Sequence, residues 1–242
     1  MASVKEHYDN LLAEHYSWMF GDYDTKVIDN IEFFRKNNIT PRSSGKALDL
    51  GCGSGFQSIA LADLGFKVLG IDLCEALLKE LRDQSRGPEI EVVQGNVLDH
   101  RLYSNKGPFE VAVCMGDTLT HLSTVDDVMP LFEHVHRNLE PGGSFVISFR
   151  DLTTELQGTD RIIPVRTGEE KLMATFLEYG ETHVKVHDMI FVSEDSGWVL
   201  KKSVYSKLRI GVEQVRAFLG GVGFEVTPPG VKEGLAVVLA RK

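Results

Sequence analysis

The sequence predicts an α/β protein: a doubly wound, mostly parallel sheet of seven strands with an antiparallel strand insert. Three observations predict it. From residue 46 to residue 150, short apolar runs alternate with amphipathic ones, the pattern of a parallel sheet covered on both faces. Between 161 and 209 the alternation stops, and four strand-like runs follow one another with no helix between them. After 210 one helical run and two apolar strands restore the earlier rhythm.

Residues 4–20 carry Tyr8, Tyr16, Trp18 and Phe20 and read as a helical N-terminal arm. Residues 24–37 place Val27, Ile28, Ile31 and Phe34 on one face of a second helix, which Asn37-Asn38 and Pro41 end. Parallel strands are expected at 46–50, 67–71, 90–93, 109–114 and 144–149. Helices are expected at 54–64, 74–84 and 124–139, the last with Val125, Val128, Phe132, Val135 and Leu139 on one stripe. Pro141-Gly142-Gly143 reads as a turn. The insert's strands fall at 161–166, 171–178, 183–192 and 198–209, punctuated by Gly168, Gly180 and residues 195–197. A helix at 212–219 and strands at 224–226 and 235–240 close the chain, the last two joined across 227–234 as an antiparallel edge. The expected organisation is an arm (1–45), an α/β unit (46–150 and 210–242) and an antiparallel flap (151–209).

Composition narrows the function. The chain has 242 residues, 43% hydrophobic and 25% charged, with a net charge of −9, an ordinary globular balance. No run of Lys or Arg supplies a phosphate-binding face, so a nucleic acid is not the expected partner. The first ten residues have no apolar core of a secretory signal, and no run of 18 apolar residues suggests a membrane span. Cys52, Cys74 and Cys114 cannot all pair within one chain, and reduced thiols in the cytoplasm are expected. They lack the Cys-x-x-Cys and His spacing of a zinc site, and no metal is expected.

The sharpest motif is Asp49-Leu50-Gly51-Cys52-Gly53-Ser54-Gly55, between a predicted strand and a predicted helix. Glycines there allow a tight turn and close approach to a ligand. A dinucleotide fingerprint needs glycine at the first, third and sixth positions, and counting from Gly51 the sixth is Phe56. The spacing is Gly-x-Gly-x-Gly with an acid two residues upstream. Asp72 ends the next strand in Leu69-Gly70-Ile71-Asp72, Gln94-Gly95-Asn96-Val97-Leu98-Asp99 follows the third, and Cys114-Met115-Gly116-Asp117 follows the fourth.

These four segments resemble the class I S-adenosylmethionine (AdoMet)-dependent methyltransferases over residues 46–150 and 212–240. The resemblance implies a Rossmann-like methyltransferase fold and AdoMet as cofactor, with S-adenosylhomocysteine (AdoHcy) as product. It implies that Asp49, Gly51, Cys52, Gly53 and Gly55 form the cofactor loop and that Asp72 and Leu73 meet the ribose. Asn96 and Val97 would meet adenine, and Met115 the methionine end. Asn96 stands where the family usually has Asp, keeping a carbonyl acceptor. Phe149-Arg150-Asp151-Leu152 and the segment 203–209 are similar to bacterial small-molecule methyltransferases with a strand insert. The expected reaction is methylation of N or O on a small polar metabolite, by a monomer or homodimer. The alternative is a regulatory protein that binds AdoMet without turnover.

Methyl transfer from a sulfonium needs alignment and exclusion of water more than an acid for the leaving group, so catalytic residues are few. Asp117, His121 and Arg150 are the candidates at the sheet edge, with Thr118, Thr120 and Asp151 beside them. Tyr16, Trp18 and Tyr205 are the candidates to touch the acceptor, and Tyr8, His187 and Arg209 could also face it.

Overall fold

The computed structural model describes residues 2–85 and 87–242. The N-terminal arm is helical but broken. Helix α1 (Val4–His7) is capped by Ser3 and Glu6 reciprocally, a π-helical turn follows at Tyr8–Leu12, then a 3-10 turn at Ala13–His15, then α2 (Tyr16–Phe20). Each change of pitch rotates the next side chains about the axis. Helix α3 (Tyr23–Lys36) starts at Asp22, whose carboxylate accepts the Thr25 amide at 2.8 Å.

The α/β part runs β1 (Lys46–Leu50), α4 (Phe56–Asp63), β2 (Lys67–Asp72), α5 (Glu75–Gln84), β3 (Ile90–Gln94), β4 (Phe109–Cys114), α6 (Val128–Asn138) and β5 (Leu139–Phe149). The flap follows as β6 (Ile162–Thr167), β7 (Lys171–Tyr179), β8 (His183–Glu194) and β9 (Gly197–Leu208). The chain ends with α7 (Val212–Val222), β10 (Glu225–Val226), β11 (Gly230–Lys232) and β12 (Leu235–Arg241).

The main sheet has the order β10-β12-β5-β4-β1-β2-β3. Strands β1 to β5 are parallel, and β12 is antiparallel to β5. β10 and β11 both pair with β12 on its outer side, one after the other. The chain winds outward in both directions from the centre, so β1 and β4 are neighbours whose connections leave to opposite sides. That reversal opens a crevice at their carboxyl ends, where open α/β sheets bind ligands.

Two apolar layers hold the sheet. Phe132, Phe145, Phe149 and Leu219 are buried on one face, and Phe34, Ile59, Leu61 and Phe66 on the other. Each such side chain contributes about 1.5–3 kcal/mol on burial. The flap is a separate antiparallel sheet, β6-β7-β8-β9. Its inner face buries Met173, Leu177, Val184, Val186 and Ile190 against Leu11, Leu12 and Leu152. The arm is therefore clamped between the flap and the main sheet. Among the described residues, no helix is long and apolar enough to cross a membrane.

The expected mostly parallel sheet with an antiparallel insert is what the chain forms. Three local readings differ. The helix expected at 124–139 begins as a 3-10 turn, because Asp127 Oδ2 takes both the amide and the hydroxyl of Thr124. Pro141-Gly142-Gly143 is no simple turn between elements. Leu139 already pairs with Phe109, and the three residues bulge out of β5 before Ser144 pairs with Val111. The turn expected across 227–234 contains the short strand β11.

Candidate functional site

The crevice is shaped by the loop after β1. The amides of Gly51 and Cys52 both donate to the Ile71 carbonyl, at 2.8 and 3.1 Å, folding the loop over the end of β2. Gly51 has φ +78°, and a Cβ there would lie 2.2 Å from Thr118 Oγ1, so only glycine fits. Asp72 accepts the Gly53 amide on Oδ2 and the Cys74 amide on Oδ1, each at 2.9 Å. Burial pushes its carboxyl above the ordinary range, and these amide bonds oppose the rise. Each oxygen keeps a further lone pair for a hydroxyl donor.

A cavity of about 250 Å³ opens over this loop, bordered by Gly51, Gly53, Asp72, Leu73, Asn96 and Val97. Tyr8, Tyr16, Cys74, Gly116, Thr118 and His121 are also among its borders. The remaining cofactor-loop candidates lie elsewhere. Asp49 is 1% exposed. It points into the protein, accepting the Ser58 hydroxyl at 2.6 Å, and burial pushes it up to about 7. Gly55, φ +98°, begins α4 where a Cβ would lie 2.1 Å from Leu81 Cδ1. Cys52 and Met115 border a smaller adjoining cavity of about 50 Å³, as do Gly51 and Gly116. Asn96 Oδ1 accepts the Leu98 amide at 3.0 Å, which spends part of its acceptor capacity on the turn.

A second cavity, of about 200 Å³, lies under the flap. Tyr8, Tyr16, Gly116 and His121 border both cavities, so these four form a shared wall. Leu12 and Met19 of the arm, Met173, Val186 and Tyr205 of the flap, and Arg150 at the end of β5 enclose the rest.

The wall between them is polar and tightly bonded. Asp117, φ +85°, takes the Arg150 amide at 2.8 Å and the Thr120 hydroxyl at 3.1 Å, and forms a buried ion pair with Lys207. Burial alone would raise Asp117. The Lys207 ammonium, with the Arg150 amide, outweighs it and holds the carboxyl at about 2. His121 Nε2 meets the Tyr8 hydroxyl at 3.2 Å, and its Nδ1 is buried without a partner. Burial first, then Lys207, press the His121 imidazole down to about 3, so it is neutral near pH 7. Burial pushes Tyr8, Tyr16 and Tyr205 well above the usual phenol range.

Several sequence candidates have other roles. Trp18 borders neither cavity. The π and 3-10 turns before it rotate it toward the flap, where the Arg166 guanidinium sits 5.7 Å from its ring centroid. Arg150 is not paired with Asp151. Asp151 instead accepts the amides of Thr153 and Val212, each at 3.0 Å, and starts α7. Arg209 staples loop carbonyls of Leu152, Thr153 and Gly180. His187 faces away from the cavity, 3.0 Å from Glu178. The three thiols are free and buried, and no group of three His, Cys, Asp or Glu among the described residues could hold a metal.

Sequence reasoning missed His7, Thr175, Asp188 and Lys207. The last three border the second cavity. His7 is fully buried behind it, with Nε2 3.0 Å from Asp188 Oδ2 and its ring stacked on Tyr205 at 4.0 Å. The available signal was strand parity. Asp188 sits in register with Val184, Val186 and Ile190 on a face that is otherwise apolar.

A sheet wound outward from β1, with a glycine turn and an acid at its crevice, defines a Rossmann-like methyltransferase. Residues 47–143 match the methyltransferase-domain family. These residues carry a methyltransferase domain of the class I AdoMet-dependent type. The chain is 38% identical over 100 residues to the YqeM protein of Bacillus subtilis, a match spanning 41% of this chain and 40% of that one. It is 25% identical over 216 residues to the cypemycin N-terminal methyltransferase of a Streptomyces species, covering 82% and 84%. The AdoMet-bound amino pentose methyltransferase CalS10 of Micromonospora echinaspora superposes with a TM-score of 0.75, at 18% identity, over 94% of this chain and 95% of that one.

Proposed function

We propose that the protein transfers a methyl group from AdoMet to N or O of a small polar metabolite, in the cytoplasm. The observation that carries this reading is the pair of cavities sharing one wall of Tyr8, Tyr16, Gly116 and His121. AdoMet, when bound, supplies a methyl group on a positive sulfur. The first cavity suits it. Asp72 has one acceptor site per oxygen left for the ribose hydroxyls, and Gly51, Gly53 and Gly116 present backbone without side chains. Asn96, Val97 and Leu98 would receive the adenine, while Cys52 and Met115 would back the methionine end.

The second cavity then holds the acceptor. Its nucleophilic atom must reach through the shared wall, where the arm and flap keep water out. The neutral His121 holds the Tyr8 hydroxyl at 3.2 Å from its Nε2, and that pair, bordering both cavities, orients the nucleophile. At about 3 the imidazole is a weak proton sink, so its contribution is alignment. Asp117, tied to Lys207, fixes the backbone of this wall.

The test uses AdoMet labelled in its methyl group and a fractionated metabolite extract. Label transferred to a small molecule supports the proposal, and tight binding with no transfer to any fraction sinks it. Asp72→Ala should weaken AdoHcy binding by about 1–3 kcal/mol in calorimetry, and equal affinity would remove Asp72 from the site.

A further inference from the structure

We propose that the second cavity selects a cationic acceptor, with Asp188, oriented by Thr175 and His7, receiving an ammonium group of the molecule to be methylated. This rests on reading that cavity as the acceptor site. Its basis is the charge balance of the walls. Three carboxylates border the cavity: Asp117, Asp188 and Glu233. Asp117 is paired with Lys207, and Glu233 with Lys26 at 2.7 Å. Asp188 has no Lys or Arg partner among the described residues. Its contacts are Thr175 Oγ1 at 2.5 Å and His7 Nε2 at 3.0 Å.

The side chain of Asp188 is 4% exposed, so bulk water does not compensate it. Buried carboxylates persist when paired, and are costly otherwise. Strand pairing does not require one here, because the neighbours on that face of β8 are Val186 and Ile190. His7 reaches Asp188 through one ring nitrogen only. Its Nδ1 is buried with no partner, and an imidazolium would bury a second N–H without an acceptor. The neutral tautomer, donating through Nε2, fits the geometry. Two donors leave part of the carboxylate's acceptor capacity unfilled, and an ammonium brings three N–H groups. Tyr8, Tyr16 and Tyr205 border the same cavity, and their ring faces attract a cation.

Arg150 also borders the cavity, and alone it would favour an anion. Its guanidinium lies 4.0 Å from Asp117 and its side chain is 47% exposed, so Asp117 and water satisfy it without a ligand. The buried group decides the preference. An ammonium has no lone pair, so it anchors the acceptor, and the atom that is methylated is a separate N or O at the shared wall.

The test uses the full chain saturated with AdoHcy and three probes of one size: 2-phenylethylamine, 2-phenylethanol and phenylacetate. Calorimetry reads their affinities on the wild type and on Asp188→Asn. The amine should bind the wild type about tenfold or more tighter than the alcohol and the carboxylate, and Asp188→Asn should remove that margin with AdoHcy affinity unchanged. Equal or tighter binding of the alcohol or carboxylate, no binding of any probe, or an amine preference that survives Asp188→Asn overturns the inference. If Asp188→Asn does not fold, the wild-type series decides alone. Failure to bind AdoHcy would sink the proposed function, whereas AdoHcy binding with indifference to the head group sinks only this inference.

Discussion

Lys207→Met isolates the ion pair under the shared wall. The two side chains are 12% and 10% exposed, so solvent screens the pair weakly. In the wild type Asp117 is held at about 2 against an ordinary 3.8. A carboxyl depressed on folding stabilises the protein above its unfolded value and loses that contribution as pH falls through its folded value. For Asp117 the contribution is about 2 kcal/mol, present above about pH 4 and lost toward about pH 2. Removing Lys207 leaves a buried carboxylate with one hydroxyl and one amide, and breaking a buried pair from one side costs about 3–5 kcal/mol. Burial, the largest influence on Asp117, is then opposed by one cation alone, the half-exposed Arg150 guanidinium at 4.0 Å, and its carboxyl rises above 3.8. The sign of the pH dependence reverses: the variant loses stability as pH rises through that raised value. Urea unfolding at about pH 7 and about pH 4.5 should therefore show a difference from wild type that shrinks at the lower pH. A difference under about 1 kcal/mol at pH 7, or one independent of pH, would refute the argument. His121 supplies a second readout, since Lys207 helps press it down to about 3, and its imidazole should titrate higher in the variant by NMR.

Asp49→Asn should reverse a different dependence. Burial holds Asp49 at about 7, a raised carboxyl, so wild-type stability is lost as pH rises from about 4 through about 7. The variant should gain on wild type by about 2–4 kcal/mol over that window in chemical denaturation, and parallel pH profiles would contradict it. Gly55→Ala combines φ +98° with a Cβ 2.1 Å from Leu81 Cδ1 and should cost about 1–3 kcal/mol or more in thermal unfolding; an unchanged melting temperature would show that the loop relaxes. Tyr8→Phe removes the hydroxyl 3.2 Å from His121 Nε2, leaving both ring nitrogens without a protein partner, and should lower kcat with less effect on AdoHcy binding; a wild-type kcat would exclude alignment through this contact.

The sheet was legible because its signals are local: apolar runs of strand length, amphipathic helices between them, and glycines where the backbone must turn. Asp72 was legible because it ends a strand next to that turn. The arm was less so. Aromatic spacing suggested one helix carrying Tyr8, Tyr16 and Trp18 together, but the π turn at Tyr8–Leu12 and the 3-10 turn at Ala13–His15 change the phase. Tyr8 and Tyr16 reach the cavities while Trp18 turns to Arg166. The flap shows the same limit from the other side. Alternation separates His187 from Asp188, but only the docking of the arm decides which parity meets the cavity. Lys207 and Asp117 lie 90 residues apart, and no local pattern joins them.

The outer border of the main sheet carries a consequence for solubility. β12 is flanked by a two-residue and a three-residue strand rather than one long one, and Pro228 and Pro229 stand between them. Proline offers no amide hydrogen, and so short a ladder gives an incoming strand little to zip onto. Val231, 79% exposed on the second fragment, can thus stay in water without recruiting another molecule into a growing fibril.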